Sequence, residues 1–307
     1  MSDFKCETIS KSIIGPKQRL IVIGDLHADF DTTKKLFIKL KLIKIINNNI
    51  KWSATPKDTV VVQLGDQLDG GGRGVGESSG ELEIIDFMEN LHCQALLNGG
   101  GVYSLIGNHE VMNLLGDFRY ASNKDIRKQG GETLRKKLFA PGGDLFNKLS
   151  CTRNVVLQVG DFIFSHAGIV PENFSDFNNP TEFIKYINKL MREFLQGKKD
   201  MYNDEINKHF INKDTSLIWN RKYGNEILDN DSCDKVEEVS NFLKVNNMIV
   251  GHTIQTKINS KCNKKLWRVD VGLSKIFDNE ENIGVLEILD NGLKLPKNNF
   301  NPFRIIS

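Results

Sequence analysis

The stretch Val102-Tyr103-Ser104-Leu105-Ile106 is followed directly by Gly107-Asn108-His109-Glu110. The first five residues are mostly apolar and rich in branched and aromatic side chains, which predicts a buried strand. The next four present an amide, an imidazole and a carboxylate together on a glycine turn. In open α/β sheets, ligands tend to bind at such strand ends. Alone, the tetrapeptide is a modest signal, because many strand-to-helix turns carry Asn and His.

Two earlier strand ends repeat this pattern. Residues 19–23 lead into Gly24-Asp25-Leu26-His27, and residues 59–64 lead into Gly65-Asp66-Gln67-Leu68-Asp69. Helical spacing separates the three strands. We expect one helix to start near Asp31, with Asp31 or Thr32 as its N-cap and an apolar face that extends to Ile43, and a second over residues 81–98. The crossover rule then predicts a parallel β-α-β-α-β unit.

The later part of the chain adds two further histidines at strand ends. A predicted hairpin over residues 154–165 ends in His166, and a strand over 248–250 is followed by His252. Asp290-Asn291-Gly292 indicates another hairpin near the end, so we expect mainly antiparallel strands here. Residues 171–215 are polar and helical in pattern, and we expect them to form a cap or insertion on a single domain spanning residues 1–307.

Composition limits the functional classes. The 307 residues are 39% hydrophobic and carry a net charge of +2, so the chain can bury a large core and shows no basic excess for nucleic acid or an anionic membrane. No apolar run reaches the length of a membrane span, and the amino terminus lacks the layout of a secretory signal. Five scattered cysteines without a CxxC motif favour free thiols in a reducing, cytoplasmic location.

Four of the six histidines lie at predicted strand ends, together with two aspartates and an asparagine. Any one of them is more simply a structural residue, but the repetition at the same topological position favours a metal site. The residues are Asp25, His27, Asp66, Asn108, His109, His166 and His252. The other two histidines, His92 and His209, have helical polar surroundings and are interpreted as structural.

This donor set suits a pair of divalent ions. Asp25 and His27 are placed to hold one ion, and Asp66 to bridge, while Asn108, His166 and His252 would complete the second ion. Nitrogen and oxygen donors without thiolate favour Mn, with Fe or Zn as alternatives, over Ca or iron–sulfur chemistry. Two ions about 3.5–4 Å apart lower the pKa of a bridging water, which becomes the nucleophile, and neutralise phosphate oxygens during in-line displacement.

His109 remains outside this ligand set. It is placed to protonate the leaving oxygen as a general acid, with Asp69 fixing its tautomer and stabilising its charged form. The alternative for Asp69 is a simple turn residue.

In order and spacing, these motifs resemble the calcineurin-like metallophosphoesterase superfamily, and more narrowly the Shewanella-like protein phosphatases. The narrower resemblance rests on residues 108–113, 116–120, 139–143 and 267–274. It implies an α/β fold with a two-sheet sandwich of mixed sheets flanked by helices, a dinuclear metal site, and hydrolysis of phosphomonoesters at Ser/Thr or Tyr of proteins. The substrate would be a phosphoprotein or a small phosphorylated molecule.

One departure from the family pattern affects the phosphate site. Gly70 stands where the family usually has an arginine that grips the substrate phosphate. Arg73, Arg119 and Arg221 are the replacement candidates, although each is also consistent with an ordinary surface arginine. The expected consequence is lower activity or a different substrate.

Two further functional classes remain open from the sequence. One is hydrolysis of a nucleotide or dinucleotide polyphosphate, and the other is a weakly active or non-catalytic phospho-binding protein. The complete set of metal-capable residues and His109 argue against the second. Balanced charge disfavours a nuclease. The oligomeric state is not determined by the sequence.

Overall fold

Two β-sheets form the frame of the molecule in the computed structural model, which describes residues 8–74, 76–277, 284–289 and 302–307. The strands are β1 Ile13–Ile14, β2 Arg19–Ile23, β3 Ile43–Ile46, β4 Asn49–Trp52, β5 Val60–Gln63, β6 Gly101–Ser104, β7 Val156–Val159, β8 Phe162–Ser165, β9 Asn247–Val250, β10 Asn259–Lys261, β11 Leu266–Arg268, β12 Val285–Leu289 and β13 Phe303–Ile306. The α-helices are α1 Phe30–Lys39, α2 Glu81–Leu96, α3 Asn108–Leu114, α4 Asn123–Lys128, α5 Glu132–Leu138, α6 Asp144–Thr152, α7 Pro180–Leu195, α8 Asp204–Ile206 and α9 Asn230–Leu243. Short 3-10 segments cover Pro171–Asn173 and Lys275–Phe277, and a π-helical turn covers Asn207–Ile211.

The first sheet has the strand order β13-β12-β2-β5-β6. Its strands β2, β5 and β6 pair in parallel, which confirms the predicted β-α-β-α-β unit. The start of α1 was predicted wrongly, because Asp29 is the N-cap and its carboxylate accepts from the Thr32 amide at 3.1 Å. Ile43, expected on the helix face, instead opens a separate β3–β4 hairpin.

The second sheet has the order β1-β7-β8-β9-β11-β10 and is mixed. The β7–β8 hairpin is antiparallel as predicted, and β10 and β11 also pair antiparallel, but β9 pairs in parallel with both β8 and β11. The expectation of antiparallel strands therefore fails for the two pairings of β9. The chain reaches β9 from β8 through the long helical connection that contains α7 and α9, and such crossovers permit parallel pairing. At the chain's end, β12 pairs antiparallel with β13, while the predicted turn at residues 290–292 lies outside the described residues.

Successive side chains of the second sheet point to opposite faces and contribute to two different hydrophobic cores. Ile249 and Trp267 join the core shared with the first sheet, whereas Met248 and Val250 point to the opposite face and join a second core under the helices. The apolar face of α7 lies in that second core. The longest helix of the expected 171–215 cap therefore packs with one face against the second core, and the cap and the single domain stay predictions. Lys213 is the residue of this segment that lines the cavity described below.

The expectation of free thiols is wrong for three cysteines. Cys233 and Cys262 form a disulfide with a Cα–Cα distance of 5.1 Å, and Cys151 is also disulfide-bonded. Cys233 and Cys262 lie 29 residues apart on α9 and beside β10, so only the packing of these elements brings them together. Cys93 is free and exposed. The cysteines therefore no longer support the predicted cytoplasmic location, which stays a prediction.

Among the described residues, every helix is too short or too polar to cross a lipid bilayer.

Candidate active site

The carboxyl ends of five strands meet at one cavity of about 790 Å³. Strands β2, β5 and β6 deliver the Asp25, Asp66 and Asn108 motifs, and β8 and β9 deliver the last two histidines. Five of the six predicted metal ligands line the cavity, and the sixth, His166, is fully buried beside it. The five are Asp25, His27, Asp66, Asn108 and His252.

Two groups of donor atoms share one carboxylate. His27, Asp66 and His109 lie within 4.8 Å of one another, and so do Asp66, His166 and His252. Asp66 thus occupies the position expected of a bridging ligand. Asp25 is predicted to join His27, but its Oδ1 atom lies 3.9 Å from His166 Nδ1, which places this oxygen beside the second group.

Glycines before the ligands allow this close approach. A Cβ atom on Gly107 would overlap Asp66 Oδ1, and one on Gly251 would lie 2.7 Å from Asp25 Oδ1. Three predicted ligands also have left-handed backbone conformations, with φ of 42° at His27, 54° at Asp66 and 65° at His252. Such conformations are costly for residues with side chains and are concentrated at functional sites.

The carboxylate of Glu110 does not face the cavity, contrary to the expectation that it is presented with Asn108 and His109. It turns back and accepts backbone N–H bonds from Gly107 at 2.7 Å, Asp66 at 2.9 Å and Gln67 at 2.8 Å. Glu110 therefore ties together the loops after β5 and β6. Its position at the third residue of a helix start is the sequence signal for this role.

The histidine rings are oriented by backbone carbonyls, as metal ligands usually are. His27 Nδ1 is 3.2 Å from the Leu68 carbonyl, and His166 Nδ1 is 2.8 Å from the Leu64 carbonyl. His252 Nε2 is buried and has no hydrogen-bond partner among the described residues. A buried imidazole nitrogen without a partner, beside carboxylate, amide and imidazole donors, fits a divalent ion of the Mn, Fe or Zn type.

Strong electrostatic coupling joins the buried groups. Burial alone would raise the pKa of Asp66, but His166 and His109 hold it well below its usual range. Burial would lower the pKa of His166, yet Asp66 and Asp25 raise it to about 10. Burial and the charge of His166 lower the pKa of His252 to about 3. Asp66 and His166 therefore stabilise each other's charged forms.

His109 is paired with Asp69. The distance from His109 Nδ1 to Asp69 Oδ2 is 2.7 Å, so Asp69 is more than a turn residue. Burial would lower the pKa of His109, but Asp66 and the hydrogen bond to Asp69 raise it. Since Nδ1 faces Asp69, the Nε2 atom is directed to the cavity, where Arg73 lies.

Arg73 reaches the cavity from the glycine-rich loop. Its Nη2 atom is 3.2 Å from His109 Nε2 and 3.5 Å from His27 Nδ1. The guanidinium lies 4.8 Å from the centre of the Tyr120 ring and 5.2 Å from that of Phe277. A side chain at Gly70 would overlap Ser78, so the path of this loop excludes an arginine at that position.

The other two candidate arginines also line the cavity but are held differently. The side chain of Arg119 is 68% exposed and pairs with Asp117. Arg221 Nη1 lies 3.4 Å from Thr253 Oγ1. Of the three arginines, Arg73 alone lies against His109.

Asp270 was missed by the sequence reasoning. It lines the cavity, is 1% exposed, and accepts the Gly272 N–H at 3.0 Å. Burial raises its pKa to about 6. It stands two positions after the end of β11, and this strand-end position was the available signal. The segment 267–274 that contains it supported only the resemblance.

Comparison with known proteins gives consistent results. Residues 18–255 match the Calcineurin-like phosphoesterase family. A relative from Arabidopsis thaliana, Shewanella-like protein phosphatase 2, is 30% identical over 84% of this chain and 72% of its own length. Shewanella-like protein phosphatase 1 from Plasmodium berghei is 25% identical over 85% of this chain and 68% of its own length. The crystal structure of a cold-active protein-tyrosine phosphatase from a psychrophilic Shewanella species superimposes with a TM-score of 0.74 and 25% identity, covering 92% of this chain and 79% of that one.

Proposed function

Because this chain belongs to the calcineurin-like phosphoesterase family, and within it to the Shewanella-like protein phosphatases, we propose that it dephosphorylates proteins and prefers phosphotyrosine. Family membership already makes it a metal-dependent phosphoester hydrolase. The observation that carries the finer proposal is the contact between Arg73 and His109 at 3.2 Å, inside a cavity whose rim is aromatic.

The chain's own donors would hold two divalent ions, with Mn as the first candidate. Asp25, His27 and Asp66 would bind one ion. The second would be bound by Asp66 together with Asn108, His166 and His252. When bound, such ions neutralise phosphate oxygens and lower the pKa of a water between them.

The remaining steps involve side chains of this chain. Arg73 would bind two phosphate oxygens through its guanidinium fork, which also places the ester oxygen near His109. Water adds to phosphorus as the bond from phosphorus to the leaving oxygen breaks. The proton on His109 Nε2 passes to that oxygen, while Asp69 keeps the other ring nitrogen protonated.

Aromatic side chains around Arg73 support phosphotyrosine. Tyr120 and Phe277 flank the guanidinium, and Trp219 also lines the cavity. Rings of this kind would pack against a phenyl group but gain little from a serine methylene. The cold-active enzyme from Shewanella is a protein-tyrosine phosphatase, which supports the same preference.

The direct test compares substrates with and without metal. After EDTA treatment and addition of Mn²⁺, we expect hydrolysis of a phosphotyrosine peptide to exceed that of the matched phosphoserine peptide at least about tenfold in kcat/KM. Equal rates would contradict the preference. Faster hydrolysis of diadenosine tetraphosphate than of either peptide would replace the protein substrate with a nucleotide.

The acid role is tested separately with His109→Ala. This variant should keep its metal content and lose about 10²- to 10⁴-fold in kcat on phosphotyrosine peptide. His92→Ala is the matched control, because His92 is a half-buried histidine bonded to the Val102 carbonyl. Unchanged turnover in His109→Ala would contradict the assignment.

A further inference from the structure

A buried arginine lies behind the His109–Asp69 pair. Arg135, in α5, is fully buried, and its guanidinium packs 4.3 Å from the centre of the Phe139 ring. It belongs to the short helices after the glycine turn at Gly116, a region with no role in the chemistry described above. Burying a guanidinium is costly unless it is paired, so its contacts indicate what it is for.

Arg135 makes a forked ion pair with Glu81. Its Nη1 atom lies 2.6 Å from Glu81 Oε2 and its Nη2 atom 3.0 Å from Oε1. The same Glu81 Oε1 accepts the backbone N–H of Asp69 at 3.0 Å. The ion pair thus fixes the main chain of Asp69 at the start of the glycine-rich loop.

Arg135 also determines the orientation of a side chain that touches Asp69. Arg135 Nη2 donates to Asn113 Oδ1 at 2.5 Å, and Asn113 Nδ2 donates to Asp69 Oδ1 at 2.9 Å. Arginine has only donors and an ionised aspartate only acceptors, so the amide between them has one possible orientation. Asn113 Nδ2 also donates to the His109 backbone carbonyl at 2.9 Å, so Arg135 holds the oxygen end of the amide while Asp69 and His109 hold its nitrogen end.

The orientation of the Asp69 carboxylate in turn affects its hydrogen bond to His109. Asp69 uses Oδ1 for Asn113 and Oδ2 for His109 Nδ1, so rotation of its carboxylate would move or break the 2.7 Å bond to the imidazole. Among the residues that the structure describes, no hydrogen bond or ion pair joins Arg135 to a residue of the cavity lining or to a predicted metal ligand. Arg135 Nη2 also lies 3.6 Å from Asp69 Oδ1, so a direct ion pair stabilises the same oxygen.

We propose that Arg135, through Glu81 and Asn113, is a positioning residue that holds Asp69 and thereby aims the His109 proton at the leaving oxygen. This inference rests on the proposed acid role of His109. It assigns a function to α5 in proton delivery, separate from binding of metal or phosphate.

The readout is the dependence of kcat on the leaving group. Loss of proton delivery lowers kcat for esters whose leaving oxygen is basic. It has little effect on kcat for esters whose leaving group departs as a stable anion. In Arg135→Lys, which keeps the charge but not the fork, kcat on phenyl phosphate should fall about 10- to 100-fold. On 2,4-dinitrophenyl phosphate it should fall less than about threefold, with KM and metal content near those of the parent protein.

A second variant and a matched control separate positioning from folding. Asn113→Ala removes the amide bridge and should give the same uneven loss. Arg19→Lys is the control, because Arg19 is a buried arginine paired with Glu287 at 2.7 Å on the first sheet, and it should affect both esters equally and weakly. An equal loss on both esters in Arg135→Lys and Asn113→Ala would overturn the inference.

His109→Ala in the same series distinguishes this inference from the proposed function. If His109→Ala shows the uneven loss and Arg135→Lys does not, only the positioning role fails. If His109→Ala loses activity equally on both esters, the acid assignment itself fails. Combining the two changes should add little to the uneven loss of His109→Ala, since both act on one proton transfer.

Discussion

The floor and the wall of the cavity are built in different ways. The floor consists of the predicted ligands at the ends of β2, β5, β6, β8 and β9, whose backbones lie close together. The wall includes Arg73, Arg119, Tyr120, Trp219 and Phe277, which lie outside the strands and the α-helices. Within the wall, the Arg73 guanidinium packs against the rings of Tyr120 and Phe277. We therefore expect the floor to tolerate little change, and exchanges of wall residues to alter the substrate.

The strongest test of this contrast is Asp66→Asn. Asp66 belongs to both donor groups, so the variant should bind fewer than two ions per chain and lose at least about 10³-fold in kcat. Metal analysis and phosphatase kinetics would measure this. Asp31→Asn, an exposed change on α1, is the control and should retain both ions. Full metal content in Asp66→Asn would show that the floor is not organised around a shared carboxylate.

Within the wall, Arg73→Met and Arg119→Met should differ. Arg73 lies 3.2 Å from His109 Nε2, whereas Arg119 is exposed and already paired with Asp117. Losing charge-assisted bonds to phosphate should lower kcat/KM of Arg73→Met about 10- to 100-fold, and Arg119→Met should change it less than about threefold. Inorganic phosphate should also inhibit Arg73→Met more weakly. Equal effects in the two variants would mean that the phosphate site has no single anchor.

The same contrast explains what the sequence could and could not predict. Each floor residue stands one to four positions after a strand and within three positions of a glycine, and these local patterns predicted Asp25, Asp66 and His166. Gly70 showed that the usual arginine is missing, but choosing Arg73 among three candidates required its distance to His109. Arg135 and the Cys233–Cys262 disulfide gave no local signal, because their partners are distant in sequence.

A smaller effect is expected at His209, a buried histidine that does not line the cavity. Its Nδ1 atom is 3.2 Å from Asn173 Nδ2, and burial lowers its pKa to about 4. The unfolded chain binds this proton near pH 6.5 and the folded chain only near pH 4, so its contribution to the free energy of unfolding is present above pH 6.5 and is lost as pH falls to 4.

In His209→Asn, this pH-dependent loss of unfolding free energy should be absent, because asparagine does not titrate. The difference in unfolding free energy between parent and variant should change by about 1–3 kcal/mol between pH 7 and pH 4. Denaturant titrations of metal-free protein at several pH values would measure it, with kcat at neutral pH changed less than about twofold. Parallel pH curves for the two proteins would show that His209 is not held neutral in the folded state.

The Glu110 carboxylate has a consequence for how the site opens. It accepts backbone N–H bonds from the β6 loop at Gly107 and from the β5 loop at Asp66 and Gln67. We expect the Asp66 and Gln67 amides to exchange with solvent deuterium when the two loops separate, and therefore to exchange together. Because Glu110 holds the two loops together, the main chain of the site is assembled before an ion binds. The affinity for an ion should therefore depend more on side-chain adjustment than on folding of the site.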